Sequence, residues 1–192
     1  MLALLLSPAF VVATNNPVMW ERLTSDDGPR AAIGISGYIG ITAHQAVRLN
    51  YATYEVDTLA SIWSSVTLAD DGNCGYEVGG HSDDLGAGWM YFLHERWRGP
   101  SLELGAVRKS LHLTHCYDKD GVFDYATDTT STAYVARATL GWSWLFHDHL
   151  FVSFNAGGSV GREAGLWNDT GKHYHHAVAY PEMYFRLGFA FD

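Results

Sequence analysis

Apolar and polar residues alternate along most of this chain in strand-length segments, and the polar member of each pair carries charge, glycine and serine where a water-soluble fold would place its core. Residues 182 to 191 show the pattern best. Met183, Phe185, Leu187, Phe189 and Phe191 fall on one face, and Glu182, Tyr184, Arg186 and Gly188 on the other, at the period of two that belongs to a strand. The segments Ala31 to Ile41, Gln45 to Val56, Leu85 to Arg96, Ser101 to Lys109, Thr132 to Trp144 and Leu150 to Val160 share the design. Which face is inside decides the fold.

The polar rows are dominated by Gly, Ser, Asn and Thr and carry Arg48, Glu103, Arg137, Glu182 and Arg186. Small residues mixed with opposite charges can fill a narrow lumen as a paired network. The other rows are almost free of charge over their central stretches and place aromatic residues near their ends, with Trp89, Trp97, Trp142 and Trp144 expected in a girdle. That is the inside-out pattern of a strand whose outer solvent is lipid. A soluble sandwich or ligand-binding barrel is the competing fold, but its exposed rows should carry Lys and Glu regularly.

Connections alternate in length. The links at 42 to 44, 97 to 100 and 146 to 149 read as tight turns, whereas 57 to 84, 114 to 130 and 161 to 176 read as long polar loops. The chain's 192 residues suit one domain and a closed antiparallel up-and-down transmembrane β-barrel of about eight strands, and are too few for a sixteen-stranded porin. Its 20 glycines suit strands packed around a tight lumen. No run of eighteen apolar residues is present to form a transmembrane helix. The net charge of −9, with much of the acid in the long connections, argues against nucleic acid as a partner.

The opening stretch, residues 1 to 13 (MLALLLSPAFVVA), reads as a curtailed signal peptide ending in small residues. The barrel domain is then expected over 14 to 192, with its remaining strand near Pro17 to Leu23 before a turn at Ser25 to Pro29.

From about residue 30 onward the chain resembles the small, about eight-stranded outer-membrane β-barrel families of Gram-negative bacteria, in architecture and pattern. Members of those families usually end in an aromatic residue on the last strand; here Phe185, Leu187, Phe189 and Phe191 fit that strand and Asp192 follows. The resemblance implies residence in the bacterial outer membrane, contact with outer-membrane lipid and handling by the barrel-assembly machinery. It also implies an even strand number, short periplasmic turns and long outer loops.

Chemistry is sparser. Cys74 and Cys116 sit in two different expected loops, where an oxidising exterior would allow a disulfide between them. His147, Asp148 and His149 form one cluster and His173, His175 and His176 another, but both read more simply as solvated loop residues than as a metal site. Asp118, Asp120, Gly121 and Asp124 echo part of a calcium loop without its distal Glu. No metal and no cofactor is expected. Ser110 and His112 lie two apart on the lipid-facing row, the reverse order of the His-x-Ser of outer-membrane lipid A deacylases, with no assured acidic partner. The chain is therefore expected to be non-enzymatic, anchoring surface loops for envelope structure, adhesion or docking of an envelope protein. The alternatives are a narrow channel or conduit for small apolar molecules, suggested by Met90, Phe92 and Val107 on the inner row, and a lipid-modifying hydrolase using Ser110 and His112.

Overall fold

The structure, a computed structural model, describes residues 8–17, 33–56, 78–119, 122–167 and 171–192. Strand β1 is built from two pieces, Phe10–Thr14 and Asn16–Pro17, interrupted at Asn15. It is followed by β2 (Ile33–Gly40), β3 (Gln45–Val56), β4 (Val78–Phe92), β5 (Gly99–Lys119), β6 (Val122–Phe146), β7 (Leu150–Trp167) and β8 (Lys172–Phe191). Each strand pairs antiparallel with the next, and β1 pairs with both β2 and β8. The sheet is therefore a closed up-and-down barrel with no free edge, the arrangement that satisfies every strand's backbone groups without water.

The face assignment follows the sequence period throughout. Ile33, Leu140 and Phe189 stand 68%, 68% and 60% exposed on the outside, while Arg48, Glu103 and Arg186 are at most 1% exposed within. Soluble proteins rarely expose a contiguous apolar patch above a few hundred Å². Here the apolar exterior runs round the whole ring, and lipid is the solvent that makes it stable. Trp142 and Tyr134 lie eight residues apart on the outer face of β6. At about 3.3 Å per residue and a tilt of about 40°, that separation spans roughly 20 Å along the barrel axis, close to the height of an apolar membrane band.

The connections from β2 to β3, from β4 to β5 and from β6 to β7 lie at one end of the barrel. The last of these joins β6 to β7 through His147 and Asp148, with φ of 49° and 60°, and the His149 amide donates to the Phe146 carbonyl at 3.1 Å. Positive φ at both central residues is the turn that matches the twist of a hairpin.

Two expectations need correction. Residues 10 to 13, placed in a leader by their unbroken apolar character, belong to β1 and close the ring, a place expected for Pro17 to Leu23; residues 1–7 and 18–32 lie outside the described residues. Both faces of β1 are apolar because Val11 and Ala13 point into a lumen that is itself apolar at this end. The segments 78 to 84, 114 to 119, 122 to 130, 161 to 167 and 172 to 176, assigned to long loops, instead continue as paired strands. Their side chains are polar because the hairpins run on beyond the apolar band, so composition there reports the surroundings and not the backbone.

Candidate functional site

The lumen holds three layers. At the short-turn end, Trp97 is fully buried among Tyr38, Phe92 and Phe151, with ring centroids 5.8, 5.4 and 5.9 Å away and steep interplanar angles. Its indole Nε1 donates to the Pro8 carbonyl at 2.8 Å, so the start of the described chain is tied across this end. Val11, Ala46 and Met90 complete the apolar plug. Sequence placed Trp97 in the girdle. It sits in the turn after β4 with φ of 69°, where a left-handed backbone sends the side chain inward and the period of two no longer applies. Trp142 and Trp144 do face outward, their rings tilted 37° to each other at 6.4 Å, and Trp89 lies on the outer face beside Tyr91 at 5.9 Å.

Above the plug lies a charged belt centred on Glu103. Its carboxylate meets Arg48 Nη2 at 2.5 Å and Arg186 Nη2 at 3.2 Å, with Arg137 Nη1 at 4.0 Å. Arg137 Nε pairs with Glu182, which also accepts from Ser159 at 2.6 Å and from the Tyr184 hydroxyl at 2.8 Å. Tyr184 in turn accepts from Arg137 Nη2 at 2.6 Å, and the Arg137 and Arg186 guanidinia lie 4.8 and 5.0 Å from its ring centre. The five charged residues singled out from the sequence thus occupy one connected network.

Asn50, Lys109 and Asn155 lie on the polar rows of the sequence without being singled out there, and Asn15, Asp84 and Glu163 are members that sequence reasoning missed. Asn15, at the break in β1, accepts from Arg186 Nε at 3.0 Å and Arg48 Nη1 at 3.3 Å; Asn155 accepts from Arg186 Nη1 at 2.7 Å and Asn50 from Arg48 Nη2 at 2.9 Å. Lys109 bridges Asp84 at 2.7 Å and Glu182 at 3.4 Å. Glu163 accepts from Tyr180 at 2.9 Å and Tyr174 at 3.1 Å. Asp84 and Glu163 read as loop acids, but their even and odd positions continue the inward rows of β4 and β7, which was the available signal. Arg48, Lys109, Arg137 and Arg186 are then paired with Asp84, Glu103 and Glu182, while Glu163 has His176 at 3.7 Å beside its two tyrosine hydroxyls. A buried belt of this kind is tolerated only when each charge is paired and hydrogen-bonded. Glycines make the room: a Cβ on Gly86 would stand 2.7 Å from Asn50 Oδ1. Replacing Arg137 with Leu is expected to cost about 3 kcal/mol in urea unfolding of the refolded barrel, because Glu182 keeps Lys109, Ser159 and Tyr184 but loses its nearest cation. An unchanged midpoint would contradict this pairing.

Among the described residues the inner apolar side chains fall into two separate clusters. Met90 and Phe92 belong to the plug, Val107 to a separate wall cluster with Leu111, Ala133 and Val135, and the charged belt contacts lie between.

On the outside, above the apolar band, Tyr51 donates to Asp83 at 2.8 Å and His81 Nε2 lies 3.2 Å from Asp83 Oδ2. Ser110 and His112 occupy the neighbouring strand, but His112 Nδ1 lies 3.4 Å from Thr130 Oγ1, and no bond joins it to Ser110 among the described residues. Of the run at 81 to 84, His81 and Asp83 face outward and Ser82 and Asp84 inward, the Ser82 hydroxyl donating to Asp84 at 3.1 Å. Asp148 accepts from Arg98 at 2.7 Å in the short-turn end. Among the described residues no three His, Cys, Asp or Glu side chains converge as metal ligands. Cys74, Asp120 and Gly121 lie outside the described residues; Cys116 falls on β5 opposite Ala126, and Asp118 and Asp124 fall on strands.

Among solved structures, the chain is similar to a major outer membrane protein from Thermus thermophilus (13% identity, TM-score 0.49, 95% of this chain and 97% of that one). It is also similar to Outer Membrane Protein W of E. coli (14%, 0.47, 96% and 98%) and to the N-terminal β-barrel domain of Pseudomonas aeruginosa OprF (14%, 0.43, 96% and 98%). No protein-family model and no curated protein matches the chain. What identifies its surroundings is the distribution of its own side chains: apolar outside, charged within.

Proposed function

We propose that this protein is a non-enzymatic barrel of the bacterial outer membrane that anchors outward-reaching hairpins for envelope structure, adhesion or docking of an envelope partner. The filled lumen carries this reading. Plug, charged belt and wall cluster occupy the interior with the chain's own side chains, as the diameter of an eight-stranded ring requires. The hairpin of β5 and β6 supports the anchoring role. Its strands are 21 and 25 residues long, and 21 residues at about 3.3 Å each and a tilt of about 40° cover roughly 50 Å, twice the height of the apolar band. The final strand, with Phe185, Leu187, Phe189 and Phe191 turned outward, is the tail offered to the assembly machinery.

Planar-bilayer recording of the refolded protein tests the reading. No steady opening is expected, together with recovery in the outer-membrane fraction of the native host. A reproducible open level would replace the anchor with the channel, and recovery in a soluble fraction would remove the membrane altogether.

A further inference from the structure

Two arginines stand on the lipid-facing surface where the sequence period should supply apolar residues. Arg108 on β5 and Arg162 on β7 are both exposed, and both lie on the outward rows of their strands. The register places them level with each other on either side of Tyr134: Arg108 pairs with Tyr134, and Tyr134 with Arg162. Two strand spacings separate the arginine backbones by about 9.6 Å, within reach of two long side chains converging on one small anion. Arg108 lies nine residues up β5 from Gly99, or about 23 Å along the barrel axis at a 40° tilt, which is the far boundary of the apolar band.

Neither guanidinium has an ion pair or hydrogen bond among the described residues, in contrast to Arg48, Arg137 and Arg186 in the lumen and Arg98 at the turn end. Asp83, which pairs with Ser110 two residues further along β5, is already engaged by Tyr51 and His81. An arginine at the edge of hydrocarbon costs stability unless an anion meets it, and paired guanidinia match phosphate oxygens in geometry as well as charge. Directly below, toward the band, an open groove of about 330 Å³ is lined by Ala106, Val107, Arg108, Tyr134, Val135 and Ala136. Ala106 and Ala136 are paired across β5 and β6 on the outer face with Ala87 and Ala138 beside them, so the groove is apolar and shallow, and Leu104 and Leu140 bring bulk below it.

We propose that Arg108 and Arg162 hold the phosphate monoester of an outer-leaflet lipid over Tyr134, with one acyl chain lying in the Ala106–Ala136 groove. Charge selects the headgroup, and the groove restricts the ligand to a lipid. The site rests on the membrane-barrel reading above, and heat-dependent gel mobility of each refolded variant reports on that reading separately.

Native mass spectrometry of the refolded full chain in detergent, titrated with dioleoyl phosphatidic acid and with dioleoylglycerol, tests it. Phosphatidic acid should bind and dioleoylglycerol, which lacks only the phosphate, should not. R108Q/R162Q should weaken binding by roughly tenfold or more while keeping the heat shift, the conservative R108K/R162K should restore part of it, and Arg98→Gln should leave it unchanged. A136L should weaken phosphatidic acid binding with both arginines intact. Equal binding by R108Q/R162Q, or equal binding of the two lipids, overturns the proposal. Displacement by millimolar inorganic phosphate overturns it too, because the site would then be a simple anion site. Loss of the heat shift in the parent protein would instead remove the membrane barrel itself.

Discussion

Replacing Glu103 with Gln is expected to lower the unfolding free energy of the refolded barrel by about 3–5 kcal/mol, the range for removing one partner of a buried ion pair. The carboxylate is fully buried and is approached by Arg48, Arg186 and Arg137. With an amide in its place, three guanidinia face one another in a medium that screens them poorly, and Arg48 and Arg186 keep only neutral asparagine acceptors. The loss should exceed that of Arg137→Leu, which leaves its carboxylate a second cation. Urea titration followed by tryptophan fluorescence measures both. If Glu103→Gln unfolded at the parent midpoint, the belt would contribute nothing to stability and the lumen would have to be held by the plug alone.

Trp97→Ala is the second large effect, with an expected loss of about 3–5 kcal/mol, as for large aromatic truncations in a packed core. The substitution opens the space between Tyr38, Phe92 and Phe151 and abandons the Pro8 carbonyl. Trp97→Phe keeps most of the packing and gives up the hydrogen bond, so about 1–2 kcal/mol of loss is expected. Were Trp97 a lipid-facing girdle residue, the alanine variant would unfold close to the parent midpoint, and that result would return it to the outside.

The alternation of faces was legible because a strand's period ties each residue to a side, and closure of the ring holds every strand to that rule. Arg48, Glu103, Arg137, Glu182 and Arg186 could be read as lumen residues on this ground alone. Reading failed where the period stops or the solvent changes. Trp97 follows the strand by a few residues, and its orientation comes from a positive φ that no alternation encodes. Val11 and Ala13 hid the first strand because the lumen beside them is apolar, so neither face carried a polar mark. Arg108 and Arg162 are the converse case. They occupy apolar rows, and an exception to a pattern is invisible while the pattern is being established. The hairpin ends beyond the membrane lost their hydrophobic signature, although their backbone pairing continues.

The doubly paired first strand also sets the order of assembly. Phe10 to Ala13 find their partners at Gly188 to Phe191, the other extreme of the sequence, through a ladder of four residues and a further pair at Asn16 and Pro17. Every other pairing joins strands adjacent in the chain and can form as a local hairpin, whereas this one carries the whole loop-closure entropy of the ring. The rate at which the protein matures is thus governed by the closing of one short zipper. Until that zipper closes, the nascent sheet presents two unsatisfied margins that must be shielded from other chains.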